Sequence, residues 1–458
     1  MTAADEVVAV DVGTSAVRAA VVSASGAVTA SVRVPRAASG GEFFDAETLL
    51  GEVTTALASL EGVARPRALA ISAHIGTVPV DESARPVDQA GGWSDPRGLD
   101  KLASIPAVVR DSLLSAGGRP ALTGGALAYA LSGSSHARYL LSPKDFLIAR
   151  LTGSIVTDTV DAAYTLLSDV RGRRWNTEAM TALGVDPGLF PPQAEPAAVV
   201  GELTHACGLP AGTPVVAGGP DGSVGIGLLL GSDGAAIADV AGTTDVVGMP
   251  VADPGSAPAP AMINPALAGG HWVAGGASGM TGGAVARWRA LVGEVPEEEL
   301  AAIAPGADGL VVLPTLTGSR FPRWRAGDRG AVLRHRPEHT PAHLLRAAQE
   351  GAAFTVREGL DQLDPSGTLP VVLAGGTARS TLTAQLRADV SGRVTRVCAE
   401  PDVTLLGAAA LALTGSGLAS DVDDARARIG CGFRTLEPDP VRAGRYAELL
   451  GEWAAARG

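Results

Sequence analysis

Cysteine is scarce in this chain: three in 458 residues, at Cys207, Cys398 and Cys431. They lie far apart and form no C-x-x-C pair, which excludes the usual zinc and iron–sulfur ligand spacings and offers no disulfide framework. Lysine is scarcer still, with only Lys101 and Lys144, so the basic residues are nearly all arginine. Positive charge is in deficit: the formal net charge is −12 and the pI about 5.1. Binding a phosphate backbone needs a basic face, so nucleic acid is not an expected partner. Long unbroken apolar runs are also missing. Residues 257–286 and 403–420 lack Asp, Glu, Lys and Arg, but glycine interrupts both and proline the first, so neither reads as a membrane span. The acidic first residues run directly into an apolar stretch. No leader is expected, and the expected location is cytoplasmic and reducing.

What is present is apolar content of 46%, ample for large cores, and 59 glycines, which imply many tight turns. The length predicts two to three domains. The most informative feature is a loop that occurs twice. Residues 11–15 read Asp-Val-Gly-Thr-Ser, and residues 239–244 read Asp-Val-Ala-Gly-Thr-Thr. Each lies between two apolar, β-prone runs, the pattern of a tight hairpin. Glycine removes the Cβ, so a ligand can approach the backbone, while hydroxyls and N–H groups face an anion. Two such hairpins can grip a polyphosphate from both sides. Val215–Gly219 and Val371–Gly376 form a second pair, each a strand ending in Gly-Gly. Hairpin first and Gly-Gly strand later, in both halves, predicts two similar domains facing each other across a cleft.

Periodicity supplies the remaining elements. Residues 6–35 read as a β-meander turning at Ser25-Gly26, and Ala46–Leu60 has helical spacing. Ala68–Ile71 is a short buried strand running out at His74. Lys144–Leu151 is a helix closed by Thr152-Gly153, and Leu183–Ala194 is proline-rich loop. Gly222–Leu230, His343–Leu360, Leu382–Val390 and Leu405–Leu413 are predicted helices. Gly231–Gly234 is the expected boundary between domains 1–232 and 233–458. Alternating strands and helices give an α/β class.

Further motifs carry a resemblance. Leu141–Gly153 reads LSPKDFLIARLTG, followed by Thr157-Asp158, Leu166-Leu167, Asp169-Val170 and Arg174-Trp175. Asp221 lies in a Gly-Gly-x-Asp turn; Thr317–Arg320 precedes Pro322 and Trp324; Gly375-Gly376 precedes Ser380, Gln385, Ala388 and Asp389. With the two hairpins and Arg18, these segments resemble the FGGY family of carbohydrate kinases, xylulokinase-like members in particular, within the actin-like ATPase superfamily. The resemblance implies two ribonuclease-H-like domains facing a central cleft. It also implies transfer of the ATP γ-phosphoryl group to a sugar or polyol hydroxyl, with Mg²⁺.

It further implies roles. Asp221 is the catalytic base that accepts the hydroxyl proton. Asp11, with Asp221, serves Mg²⁺, largely through water because Mg²⁺ keeps much of its hydration shell. Gly13, Thr14, Ser15, Gly242 and Thr243 contact phosphates, and Thr244 either does so or only stabilises its loop. Gly318, Gly375, Gly376 and Gln385 belong to the nucleotide side; Arg320 either borders the nucleotide or forms a structural ion pair. His74, Trp93 and Asp95 join Asp221 on the sugar side, with Arg97 binding hydroxyls or pinning the loop.

The chain departs from the family pattern in three places. Where the family reads Gln-Met-His-Gly, this chain reads Ala73-His74-Ile75-Gly76, with the histidine one place early and no Gln. Position 222 is Gly where many members carry Asn or Gln. Residues 125–140 are short, which puts the sugar pocket in doubt. A ketopentose such as D-xylulose leads the expected substrates, with ribulose, gluconate and polyols close behind. An actin- or chaperone-like ATPase and a sugar-binding regulator without catalysis are the rivals from other classes. Expected partners are the small-molecule sugar or polyol and, for assembly, a homodimer.

Overall fold

The computed structural model describes residues 5–36, 42–60, 65–133 and 136–457. The chain divides into two compact units, each gathered from three stretches. The first holds Met1–Ser232, Ile263–Trp272 and Asp402–Gly430; the second holds Asp233–Met262, Val273–Pro401 and Cys431–Gly458. The chain therefore crosses between units at Ser232–Asp233 and again near residues 262, 272, 401 and 430.

In the first unit the β-prone opening forms the predicted meander, Glu6–Val12, Ala16–Ser23 and Val28–Pro35, each antiparallel to the next. Leu69–Ala73 lies parallel against Glu6–Val12 on its other edge, then Pro214–Val216 parallel to that, and Val199–Glu202 antiparallel at the margin. Strand side chains alternate between faces. Val8, Val10 and Val12 share one core with Leu49, Val53 and Leu57 of helix Ala46–Ala58 and with Phe146, Leu147 and Leu151 of helix Pro143–Thr152. Val7 and Ala9, also fully buried, turn to the other face, where the apolar helix Val403–Gly415 packs. That helix lies close on helix Asp221–Leu230: a Cβ on Gly407 would stand 2.5 Å from the Val224 carbonyl oxygen.

The second unit repeats the order. Ile237–Ala241 and Asp245–Val251 form an antiparallel hairpin, flanked by Trp272–Ala277, which enters this unit at Val273. On the other edge come Val371–Ala374 and Thr395–Cys398, both parallel, then Phe433–Leu436, antiparallel. The long helix Pro341–Leu363 is buried along much of its length.

The predicted strands and helices are present, with ends shifted by a few residues. The 183–194 stretch is less irregular than its prolines suggest. It contains a short 3-10 turn at Pro187–Leu189, and Gln193-Ala194 pairs parallel with Thr157-Asp158. The duplication stands, but its second pair of strands corresponds differently from the expectation. Val371–Ala374 borders its hairpin as Leu69–Ala73 borders the other, while Pro214–Val216 holds the place of Thr395–Cys398. The two Gly-Gly strands are therefore not equivalents. A three-residue match cannot tell adjacent parallel strands apart, because each ends in a tight turn.

Candidate active site

Three neighbouring parallel strands of the first unit end at one edge, and register fixes what emerges there. Asp11 lies level with Ser72, which lies level with Gly219; Val12, Ala73 and Pro220 form the next level. Thr14, His74 and Asp221 all leave the sheet within two residues of that line. Ligands of α/β sheets sit at the carboxyl ends of parallel strands.

Asp11 is the last acidic side chain before the turn and is 3% exposed. Arg18, opposite it in the hairpin, donates to it at 2.8 Å and lies 3.4 Å from Asp402. Burial, and then repulsion from Asp221, push the Asp11 carboxyl up to about 7 despite Arg18. Asp221 opens helix Asp221–Leu230 and is partly exposed. Its surroundings are dry enough to raise it to about 6, against the Gly222 N–H that donates to it at 2.6 Å. Two carboxylates that repel in a dry site, one with no arginine partner among the described residues, suit a divalent cation.

The hairpin tip is open and anchored from behind. Thr14 and Ser15 are exposed, and among the described residues their hydroxyls have no partner. Arg36 donates to the Gly13 carbonyl at 2.7 Å and is itself held by Glu52 at 2.8 Å. His74 packs edge-on against Phe44, and burial lowers its pKa to about 4, so the ring is neutral. Its Nδ1 meets the Ile75 carbonyl at 3.2 Å. A carbonyl only accepts, so Nδ1 carries the proton and Nε2 is left as an acceptor.

Asp95 is 5% exposed, and its carboxylate is taken up by Arg97, whose backbone N–H and guanidinium both donate to it. Arg97 also stacks on Phe43 and Tyr129 and reaches Asp88. A Cβ on Gly91 would stand 1.9 Å from Asp95, so the loop is built around this pair. Trp93 is partly exposed beside it.

In the second unit the Gly242–Thr244 turn is also open at Gly242 and Thr243. The N-terminus of helix Thr281–Val292 abuts it: Gly283 N–H donates to the Thr243 carbonyl at 2.9 Å, and a Cβ on Gly282 would meet the Gly242 oxygen at 2.1 Å. The second Asp of the repeat is not a second Asp11. Gly13 follows Val12, whereas Gly242 follows Ala241, so Asp239 sits one place earlier and points to the opposite face. There, 1% exposed, it shares Arg387 with Asp245. Gly375 has φ +92°, and a Cβ on it would lie 2.5 Å from the Ala241 oxygen, so this strand end presses on the hairpin. Gly376 is open, and Gly318 (φ +93°) packs on Ala326. Gln385 spends its amide N–H groups on Asp389 and the Glu437 carbonyl, which leaves only its oxygen for a ligand.

Sequence reasoning missed two groups. Arg119, 5% exposed and with no carboxylate partner among the described residues, donates to the Ala163 and Ile263 carbonyls and to Asn264 at 2.6 Å, and stacks on Tyr164. Tyr164 lies near enough to feel the Asp221 charge and hydrogen-bonds Ser223. No motif marks these residues, because they are far apart in sequence and two of the Arg119 acceptors, on Ile263 and Asn264, arrive only when the chain crosses back at residue 263. Lys144 belongs to a motif whose linear spacing does not show its role. It is 1% exposed among Asp145, Asp158 and Asp161, whose oxygens lie within 4.8 Å of one another, and its ammonium is the cation of that cluster.

Comparison with known proteins identifies the family and the fold. The model for the FGGY family of carbohydrate kinases, N-terminal domain, matches residues 131–227, and that for the C-terminal domain matches residues 238–416, together more than half of the chain. A xylulose kinase of Bacillus subtilis (strain 168) is 28% identical over 90% of this chain and 88% of its own. An autoinducer-2 kinase of Klebsiella pneumoniae subsp. pneumoniae is 30% identical over 68% of this chain and 63% of its own. Two Lactobacillus acidophilus structures, a ligand-bound xylulose kinase and a gluconate kinase, each superpose with TM-score 0.86 over 99% of this chain and 98% of theirs, at 22% and 20% identity.

Proposed function

The chain belongs to the FGGY family of carbohydrate kinases, and from that premise we propose that it transfers the γ-phosphoryl group of ATP to a hydroxyl of a ketopentose such as D-xylulose. One observation carries the reading most: Asp221, raised to about 6, stands at the same sheet edge as Thr14 and the neutral His74. A general base works best with a pKa near the working pH, where it is ionised yet basic enough to take the proton. In this reading Asp221 accepts the proton of the attacking hydroxyl, and the Nε2 acceptor of His74 takes a sugar O–H. Trp93 offers the sugar an apolar ring face, and the Asp95–Arg97 pair shapes its loop.

Thr14 and Ser15 offer hydroxyl and N–H donors to phosphate oxygens, and Gly242, Thr243 and Thr244 offer the same from the second hairpin. Gly376 leaves room for a nucleotide, Gly318 and Gly375 set the backbone turns of the nucleotide side, and the Gln385 oxygen is available to accept from it. Asp11 and Asp221 would hold Mg²⁺, which neutralises phosphate charge when bound. We assign the first phosphate loop, the base and the sugar loops to residues 1–232, and the second phosphate loop and adenosine motif to 233–458.

The experiment is an ADP-release screen of the whole chain across ketopentoses, polyols, sugar acids and autoinducer-2. Turnover highest with a ketopentose supports the proposal. A preference for gluconate, as the gluconate kinase likeness allows, moves the assignment within the family. ATP turnover indifferent to every sugar, or driven by peptide or polymerisation, sinks the kinase reading of this site.

A further inference from the structure

Two of the three cysteines, 33 positions apart in sequence, meet in the second unit. Cys398 ends the strand next to the sheet margin and lies opposite Phe433 of the marginal strand. The pairing runs one step further, with Ala399 N–H donating to the Gly432 carbonyl at 2.8 Å. Cys431 is thus diagonal to Cys398, and residues so placed share a face. Their thiols are hydrogen-bonded to each other, with the Glu400 N–H as a second donor to Cys398. Cys398 is 5% exposed, while Cys431 is open to solvent in part.

The placement is specific in the chain as well. Residues 402–430 leave for the first unit, and the two cysteines flank that departure and return. Asp402, the first residue across, is the one that lies 3.4 Å from Arg18, whose other partner is Asp11.

We propose that Cys398 and Cys431 form a redox site, a dithiol that hydrogen peroxide converts reversibly to an intramolecular disulfide closing the root of the 402–430 excursion. In the first step the Cys398 thiolate attacks one peroxide oxygen: a sulfur–oxygen bond forms, the oxygen–oxygen bond breaks, and the hydroxide released takes up the proton that Cys398 gave up and leaves as water. In the second the Cys431 sulfur attacks the sulfenic sulfur: the disulfide forms, the sulfur–oxygen bond breaks, and hydroxide leaves as water with the Cys431 proton. Two thiols and one peroxide become one disulfide and two waters. The roles follow from the hydrogen bonds. Cys398 accepts from both neighbours, which holds its thiol below the ordinary range and favours the nucleophilic thiolate. The half-buried Cys207 has its thiol pushed up by burial and stays a spectator. In a reducing compartment a pair of this kind is transient and serves sensing rather than architecture.

The test uses the full chain treated with equimolar hydrogen peroxide, then alkylated and digested for mass spectrometry. The expected result is one alkylated cysteine, Cys207, and a cross-linked peptide joining Cys398 to Cys431, two hydrogens lighter and restored to two thiols by dithiothreitol. Cys431→Ser should yield no intramolecular cross-link, and Cys207→Ser should yield the same one as the native chain. Three alkylated cysteines after peroxide, or a cross-link through Cys207, would overturn the proposal. The thiol map does not depend on any activity, so it is independent of the kinase reading.

Discussion

Asp221 carries the sharpest expectations. Asp221→Asn keeps size and removes the base, so kcat should fall by roughly 10²–10⁴-fold with little change in affinity for sugar or ATP. A coupled ADP assay decides it, and near-normal turnover removes Asp221 from the mechanism. The same carboxylate sets a pH limb. It must be unprotonated to act and is raised to about 6, so kcat/KM should drop about tenfold per pH unit once the pH is well below that value. A profile flat down to pH 5 would count against it. Stability has the opposite sense. Asp11 and Asp221 bind protons more tightly folded than unfolded, so their contribution is fully present below the ordinary aspartate value of 3.8 and is lost as pH rises towards about 7. Lys144 stands apart from the chemistry. Lys144→Met leaves three buried aspartates without their cation, and loss of one partner of a buried ion pair costs about 3–5 kcal/mol. Urea unfolding checks this, and a variant within about 1 kcal/mol of the native chain would show that the carboxylates simply protonate.

The hairpins, rather than single side chains, are what the sequence declares most clearly. Gly-Thr-Ser between two β-prone runs marks a turn with open hydroxyls, and both turns are open. The parity of the strand was harder to see. Asp239 looks like a copy of Asp11 in the linear text, yet one extra residue before Gly242 turns it to the opposite face and into the grip of Arg387. The Gly-Gly strands were paired by likeness when register decides equivalence. Asp95 was legible as part of a motif, but its engagement by Arg97 depends on a three-dimensional loop closing round Gly91. Gly375 tests the element view. Its φ of +92° and the 2.5 Å approach to Ala241 leave no room for a Cβ. Gly375→Ala should therefore cost roughly 1–3 kcal/mol of local strain. It should raise the KM for ATP through the displaced hairpin while the KM for sugar holds. Thr14→Val should show the same split without loss of stability, because it deletes an exposed hydroxyl and keeps the shape. A raised sugar KM with an unchanged ATP KM in both variants would place these elements on the sugar side.

The way the chain is threaded argues that neither half is a free-standing module. A boundary at 232 and 233 follows naturally from the repeat, since each half begins with its own hairpin. What a linear reading misses is that the first unit also recruits residues 263–272 and 402–430. These are structural members. Helix Val403–Gly415, with ten buried residues from Val403 to Leu413, covers the face of the first sheet that carries Val7, Ala9 and Asp11. It also braces helix Asp221–Leu230 through Gly407. Leu267 fills the notch at Gly227, and Asn264 caps the buried Arg119. A fragment of residues 1–232 would expose that sheet face and remove two acceptors of the buried Arg119, the Ile263 carbonyl and Asn264; apolar area left in water costs about 25 cal/mol per Å². Such a fragment should lack a cooperative thermal transition and bind hydrophobic dyes, while the whole chain melts cooperatively. Adding residues 402–430 by a short linker should restore part of the order, because it returns the missing helix to its face. A sharp, two-state melt of residues 1–232 alone would mean that the first sheet closes its own core, and that the excursion serves something other than support for the base-bearing helix.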